Sequence, residues 1–293
     1  METRKIVLTV LVMLAASALI AGTSLLAKAL GTEVLGPALN PFQITFGRYV
    51  FALLALIIAT VIMRPRFTKP ALWLHFGRAS AGSFGVTCMF AAAALIPLAD
   101  ATAISMLNPI IAMVLAIPLL KETVGPRRWL AAAISIIGAL LLIRPGFSSF
   151  QPASLIALLA AVILAFEIIM VKLLSGREGI LQILLFSNGF GTIFTGSIAL
   201  FVWVSPTPQQ WLALVGIGLL MVSVQSLFLF AIRRGDASFV APLFYATLIF
   251  AALYDFIIFH VLPSALSLGG AAIIILGAII IAWSEKRRAP KGL

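Results

Sequence analysis

Long apolar runs, broken at short intervals by basic residues, prolines and glycines, recur from one end of the chain to the other. A bilayer core about 30 Å thick is crossed by roughly 20 helical residues, and by that measure the pattern predicts ten membrane-spanning helices. The first covers residues 6–27 without a charge and leads through Lys28, Glu33 and the turn Gly36-Pro37 to Pro41. A second covers 41–63, interrupted only by Arg48. A third follows Arg64-Pro65-Arg66 and Lys69-Pro70 and runs to about Leu95, with Arg78 near its start. Pro97 and Asp100 mark a very short turn before a fourth, which ends at Leu120. The fifth, 129–143, is set off by Lys121-Glu122 and Pro126-Arg127-Arg128 and closed by Arg144-Pro145-Gly146. The sixth opens at Pro152, reaches about Leu174 and contains Glu167. From 179 to 232 no residue is charged, a stretch of 54 that holds two crossings split at Ser205-Pro206-Thr207-Pro208. After Arg233-Arg234 the ninth, about 238–260, contains Asp255, and the tenth covers 264–284 ahead of a charged tail, 285–293. The polar-apolar alternation of a β-barrel strand is missing.

Composition agrees: 62% of the 293 residues are hydrophobic and 10% charged, where a water-soluble globule carries about 25% charged residues. A net charge of +11 would suit nucleic acid if it were gathered on one wet face. Here it sits in clusters between apolar runs, so the expected partner is the lipid bilayer and not nucleic acid. With the amino terminus inside, sixteen of the twenty Lys and Arg fall in cytoplasmic segments, only Lys28 and Arg144 fall outside, and Arg48 and Arg78 lie within or near spans. Basic residues near span ends are retained in the cytoplasm, so both termini are expected there. A cleavable leader over residues 1–30 is disfavoured, because its apolar stretch of 22 residues exceeds the usual hydrophobic region. The single cysteine, Cys88, excludes an intramolecular disulfide and a thiolate metal cluster.

The spans also repeat. Thr23-Ser24-Leu25-Leu26-Ala27-Lys28 aligns with Glu167-Ile168-Ile169-Met170-Val171-Lys172, Asp100-Ala101-Thr102-Ala103 with Asp236-Ala237-Ser238-Phe239, and Ile137-Gly138-Ala139 with Leu276-Gly277-Ala278. Five spans per copy is an odd number, so the second copy enters from the opposite side. The expected fold is therefore all-α, ten transmembrane helices as two inverted repeats, 1–146 and 147–284, with a basic tail 285–293. Inverted repeats are common in secondary transporters, whose site lies near the midplane between them.

The chain resembles the drug/metabolite transporter superfamily of the EamA type. The resemblance rests on Pro41-x6-Arg48-Tyr49, on Asp100-Ala101-Thr102-Ala103 with Pro109 nine positions after the Asp, and on Lys121-Glu122 followed by Trp129 and Gly138. It covers essentially the whole chain and implies ten helices, an inner-membrane location and export of small metabolites, often amino acids. Within the family the chain looks most like the YddG-type exporters of aromatic amino acids. The second copy departs from the pattern, with Tyr245 where Pro109 stands and His260 near the place of Glu122.

Ionisable groups inside spans normally face the bundle interior or a water path. Arg48, seven residues into its helix, could attract a carboxylate from the cavity or serve as a structural partner. Glu167 in mid-helix could bind an ammonium or carry a proton, or pair with a neighbouring helix. A zwitterion also needs hydrogen bonds and an apolar wall, for which Tyr49, Asn108, Gln225 and Tyr245, with Phe84 and Phe244 as stacking surfaces, are the candidates. Asn108-Pro109 could break the fourth helix and free carbonyls. Lys28, Asp255 and Glu122 are candidates for gating or coupling, against a purely structural or topological role.

No Gly-x4-Gly-Lys-Ser/Thr motif is present, so nothing in the chain points to ATP, and no cofactor is expected. An enzyme would need a nucleophile, metal cluster or acid pair, and the two histidines, His75 and His260, lack ligand spacing. An organic-cation exporter of the same fold remains the competing reading, through an acid at the centre such as Glu167. Channel function fits the hydropathy but not the repeat. The fifth and tenth helices carry the fewest polar residues and are expected at the periphery, available to a homodimer contact. Crosslinking that found either one lining the substrate path would contradict this placement.

Overall fold

The computed structural model describes residues 2–121, 125–143, 151–175, 177–232 and 245–286, and every regular element among them is helical. The helices are α1 (Glu2–Gly31), α2 (Pro41–Met63), α3 (Leu72–Leu95), α4 (Leu98–Ser105), α5 (Asn108–Leu120), α6 (Pro126–Ile143), α7 (Ala153–Ser175), α8 (Ile180–Ala199), α9 (Pro208–Ile232), α10 (Ala246–Phe259) and α11 (Ala265–Lys286), with a 3-10 turn at Leu200–Val202. Their boundaries follow local chemistry. Asn40 caps α2 by accepting from Phe42 N at 3.0 Å, with Pro41 in the first turn where its missing N–H costs nothing. Thr207 and Gln210 form a capping box at the start of α9: Thr207 N donates to the Gln210 side chain at 2.9 Å and Gln210 N to Thr207 Oγ1 at 3.2 Å.

The predicted fourth span is two helices. α4 stops at Ser105 and α5 starts at Asn108, because Pro109 has no N–H to donate to the carbonyl of Ser105. Met106 and Leu107 bridge the gap, and Leu107 N turns back to Ile104 O at 3.1 Å.

Among the described residues six stretches are long and apolar enough to cross a bilayer, including Val10–Gly31, Pro41–Met63, Ala153–Leu174 and Pro208–Leu227. α3 is not among them, since His75, Arg78 and a run of Ser and Gly dilute it. α6, α10 and α11 carry shorter apolar stretches. The chain is an all-helical, multi-pass membrane protein.

The main packing pairs are α1 with α9 and α10, α7 with α3 and α5, α2 with α8 and α9, α8 with α3, and α6 with α11. Exchanging α1 with α7, α2 with α8, α3 with α9, α5 with α10 and α6 with α11 leaves that set unchanged. Helix directions agree with the exchange. Gly22 faces Leu220 while Gly216 faces Leu26, so α1 and α9 are antiparallel; Gly77 faces Met170 while Gly85 faces Leu164, so α3 and α7 are too.

The cores are built on small side chains. Ala101, Ala103, Ala157, Ala160, Ala161 and Ala251 are fully buried around α4, which lets helix backbones approach where lipid gives no hydrophobic drive for association. α6 and α11 pack against each other and turn Trp129, Leu130, Ile136, Ile137, Leu266 and Leu276 outward. Their crossing is at Gly138, where a Cβ would lie 2.7 Å from the Gly270 carbonyl oxygen and 2.9 Å from Ile274. Replacing Gly138 with Leu should lower stability by about 1–3 kcal/mol through overpacking. An unchanged midpoint for thermal unfolding in detergent would contradict this close crossing.

Candidate functional site

Mid-helix charges from three helices converge around one tyrosine. Arg48 and Tyr49 follow one another on α2 and both are buried. The Arg48 guanidinium lies 4.5 Å from the centroid of the Tyr49 ring, a cation–π contact, and its Nη1 is buried with no hydrogen-bond partner among the described residues. The Tyr49 ring fits against Gly191 of α8, where a Cβ would lie 2.7 Å from it. Its hydroxyl points at Gly82 of α3, where a Cβ would sit 3.1 Å from the hydroxyl and 3.1 Å from the Glu167 carboxyl carbon. Glycine at 82 thus keeps open the space in which Tyr49 of α2 and Glu167 of α7 approach one another.

Glu167 is itself 3.5 Å from Arg78 Nη2, and its side chain is 23% exposed. Arg78 Nη1 donates to Ile183 O at 3.2 Å, while its Nε is buried without a partner among the described residues. The group holds two guanidiniums and one carboxylate, an excess positive charge with unused donors. In a water-poor interior such a group favours an incoming carboxylate. Arg78 was missing from the sequence candidates because its position near the start of a span reads as a headgroup contact. The clue was the small-residue run Ser80-Ala81-Gly82-Ser83 just beyond it, which lets a long side chain on a neighbouring helix come close.

The other candidates are distributed. Phe84 of α3 is 38% exposed and makes edge-to-face contacts with Phe42 of α2 and Phe194 of α8, with centroids 6.0 and 5.0 Å away. Gln225 of α9 is partly buried, its Oε1 without a partner among the described residues. Tyr245 precedes α10, and its hydroxyl lies 3.5 Å from Met106 O, the carbonyl at the break between α4 and α5, where Asn108 also sits. Phe244 and Glu122 lie outside the described residues.

Lys28 and Asp255 are committed to each other. Lys28 Nζ is 2.5 Å from Asp255 Oδ1, both groups are buried, and the ammonium also lies 4.6 Å from the Phe259 ring centroid. Asp255 Oδ2 accepts from Leu98 N at 2.6 Å, so the same carboxylate caps α4. The pair ties α1, α4 and α10 together. A second set of polar residues, Gln43, His75, Glu178, Gln182 and Gln210, is also buried and was not singled out from the sequence. Among the described residues no three His, Cys, Asp or Glu side chains group to hold a metal ion.

A model of the EamA-like transporter family matches residues 7–144 and again 151–283. Similar proteins include an S-adenosylmethionine uptake transporter of Rickettsia prowazekii, 27% identical over 87% of each chain. They also include a riboflavin transporter of Vibrio cholerae, 29% identical over 82% of each. A pseudopaline exporter of Pseudomonas aeruginosa is 25% identical over 70% of this chain and 73% of its own. One solved crystal structure matches 94% of this chain and 97% of its own with a TM-score of 0.63 at 20% identity, a likeness of fold.

Removing one partner of a buried ion pair leaves the other charge stranded. Lys28→Met or Asp255→Asn alone should therefore lower stability by about 3–5 kcal/mol, and Lys28→Met combined with Asp255→Leu should recover most of it. A double variant no more stable than the singles in thermal unfolding would contradict the assignment as a paired structural tie.

Proposed function

The chain belongs to the EamA-like transporter family and is a transporter of small metabolites, and we propose that it is a secondary exporter of amino acids, aromatic or bulky and neutral, working by alternating access between two inverted five-helix repeats. In this reading the repeats are 1–146 and 147–284, each contributing five crossings, with both termini and the basic tail on the cytoplasmic side of a bacterial inner membrane. The exchange symmetry of the packing pairs supports the inversion, and the lopsided distribution of Lys and Arg supports the orientation.

The observation that carries the substrate class is the buried Nη1 of Arg48, without a partner among the described residues, on a guanidinium stacked on the Tyr49 ring, whose hydroxyl shares the space at Gly82 with the partly open carboxylate of Glu167. A zwitterion complements that pair, its carboxylate against Arg48 and its ammonium against Glu167. Phe84 and its neighbours on α2 and α8 supply an apolar, aromatic wall. S-adenosylmethionine, the cargo named for the Rickettsia relatives, ends in an α-amino acid, which is the group these residues complement. Organic-cation export draws on Glu167 alone and leaves the Arg48 guanidinium without a role.

The test is counterflow in proteoliposomes preloaded with unlabelled amino acids or organic cations. Saturable uptake of labelled aromatic or bulky neutral amino acids is expected, with Arg48→Gln and Glu167→Gln each lowering it about tenfold or more, the loss of one charge-assisted hydrogen bond. Uptake of organic cations alone would overturn the amino-acid assignment, and full activity in both variants would remove these residues from the site.

A further inference from the structure

Two carboxamides make the same pair of bonds at opposite ends of the bundle. Gln43, in the first turn of α2, donates from Nε2 to Val204 O at 2.6 Å and accepts from Val204 N at 3.1 Å. Gln182, in the first turn of α8, donates to Thr68 O at 3.0 Å and accepts from Thr68 N at 2.9 Å. α2 and α8 are antiparallel, since Phe46 faces Gly196 and Tyr49 faces Gly191, so these rungs lie at the two ends. Each joins a helix start in one half to the connection before α9 or α3 in the other. A second tie reinforces each. At the Gln43 end, Gln210 Nε2 donates to Pro37 O at 2.8 Å and Thr207 Oγ1 to Leu35 O at 3.2 Å. At the Gln182 end, Ala71 N donates to Glu178 Oε1 at 2.7 Å and His75 Nε2 lies 2.8 Å from Glu178 Oε2.

The geometry matches but the chemistry does not. At the Gln43 end these cross-half ties are all neutral. At the other end α3 has no side-chain cap of its own, and Glu178 from the opposite half fills that role while also accepting from Gln182 Nε2 at 2.6 Å. His75 is fully buried, stacked on Phe186 of α8 at 4.8 Å, and its Nδ1 has no partner among the described residues. Burial works against the charged form of Glu178, but the Ala71 N–H, His75 and Gln182 outweigh it and hold the carboxyl below its ordinary value. Glu178 therefore stays ionised where histidine exchanges its proton. Among the described residues the other charged groups on the elements that meet at this end are Arg78, one turn along α3 and turned to Ile183 O and Glu167, and the exposed Arg64, Arg66, Lys69, Lys172 and Arg177.

We propose that the Gln43 and Gln182 rungs are the outer and inner gates of the transport cycle, and that His75 is a proton-binding site that makes the inner gate alone sensitive to pH. This rests on the alternating-access reading above. A proton on His75 turns the hydrogen bond between a neutral imidazole and the Glu178 carboxylate into an ion pair, against the face of Phe186. Opening admits water and weakens that pair, so the proton favours the closed gate.

Spin labels in a Cys88→Ala background test this in liposomes. The inner pair is Phe67→Cys with Ile180→Cys, and the outer pair is Val34→Cys with Gln209→Cys, all at exposed positions. Between about pH 6 and about pH 8 the long-distance population of the inner pair should rise at least about twofold, with the outer pair showing no parallel opening. His75→Gln, which keeps a donor for Glu178, should abolish the pH response; if it fails to fold, Glu178→Gln should abolish it instead. An inner pair that opens independently of pH, or a response that survives these substitutions, overturns the proton site and leaves alternating access standing. Two pairs that never lengthen, at any pH or with amino acids loaded on either side, overturn both.

Discussion

A polar group buried among apolar helices must find a partner, because hydrocarbon offers none. In this chain the partners come repeatedly from the other half. Lys28 meets Asp255, Gln43 meets Val204, Gln182 meets Thr68, Glu178 meets His75 and Ala71, Gln210 meets Pro37, and Arg78 meets Glu167 and Ile183. The alanine-rich cores bring the helices close enough for these bonds, and the bonds in turn set which helix ends meet.

Much of the fold was legible because lipid imposes a length scale. A run of apolar residues long enough to cross, followed by Arg-Pro-Arg or Ser-Pro-Thr-Pro, admits few readings, and the helix boundaries near 41, 63, 95 and 120 follow it. The break at Asn108-Pro109 was legible for a local reason, the missing amide of proline. The polar pairs were not legible. A glutamine in the first turn of an apolar helix carries no mark of whether it faces a headgroup or a distant peptide. Glu178 reads as a loop charge until α3 is seen to lack its own cap. The position of Gln182, 139 residues after Gln43, was a usable signal, but it takes a repeat alignment of polar positions to notice it.

The candidate site shows the same division. Arg48, Tyr49 and Glu167 could be named from the sequence because a charge in a span is costly, and the structure brings them together through Gly82. Arg78 was hidden by its nearness to a helix end. Lys28 and Asp255, named for gating or coupling, are engaged with each other and with the start of α4, a tie that joins α1, α4 and α10.

These elements form one proposed cycle: a positively biased centre that accepts a carboxylate, flanked by two equivalent rungs that open in turn. That scheme requires the rung at Thr68 and the rung at Val204 to lie on opposite sides of the membrane. The most direct measurement is labelling of Val34→Cys and Phe67→Cys, each on a Cys88→Ala background, with a membrane-impermeant maleimide applied to intact cells. The account predicts that Val34→Cys reacts at once and Phe67→Cys only after the cells are permeabilised. Labelling of both from the same side would contradict the inverted arrangement and the pair of gates built on it.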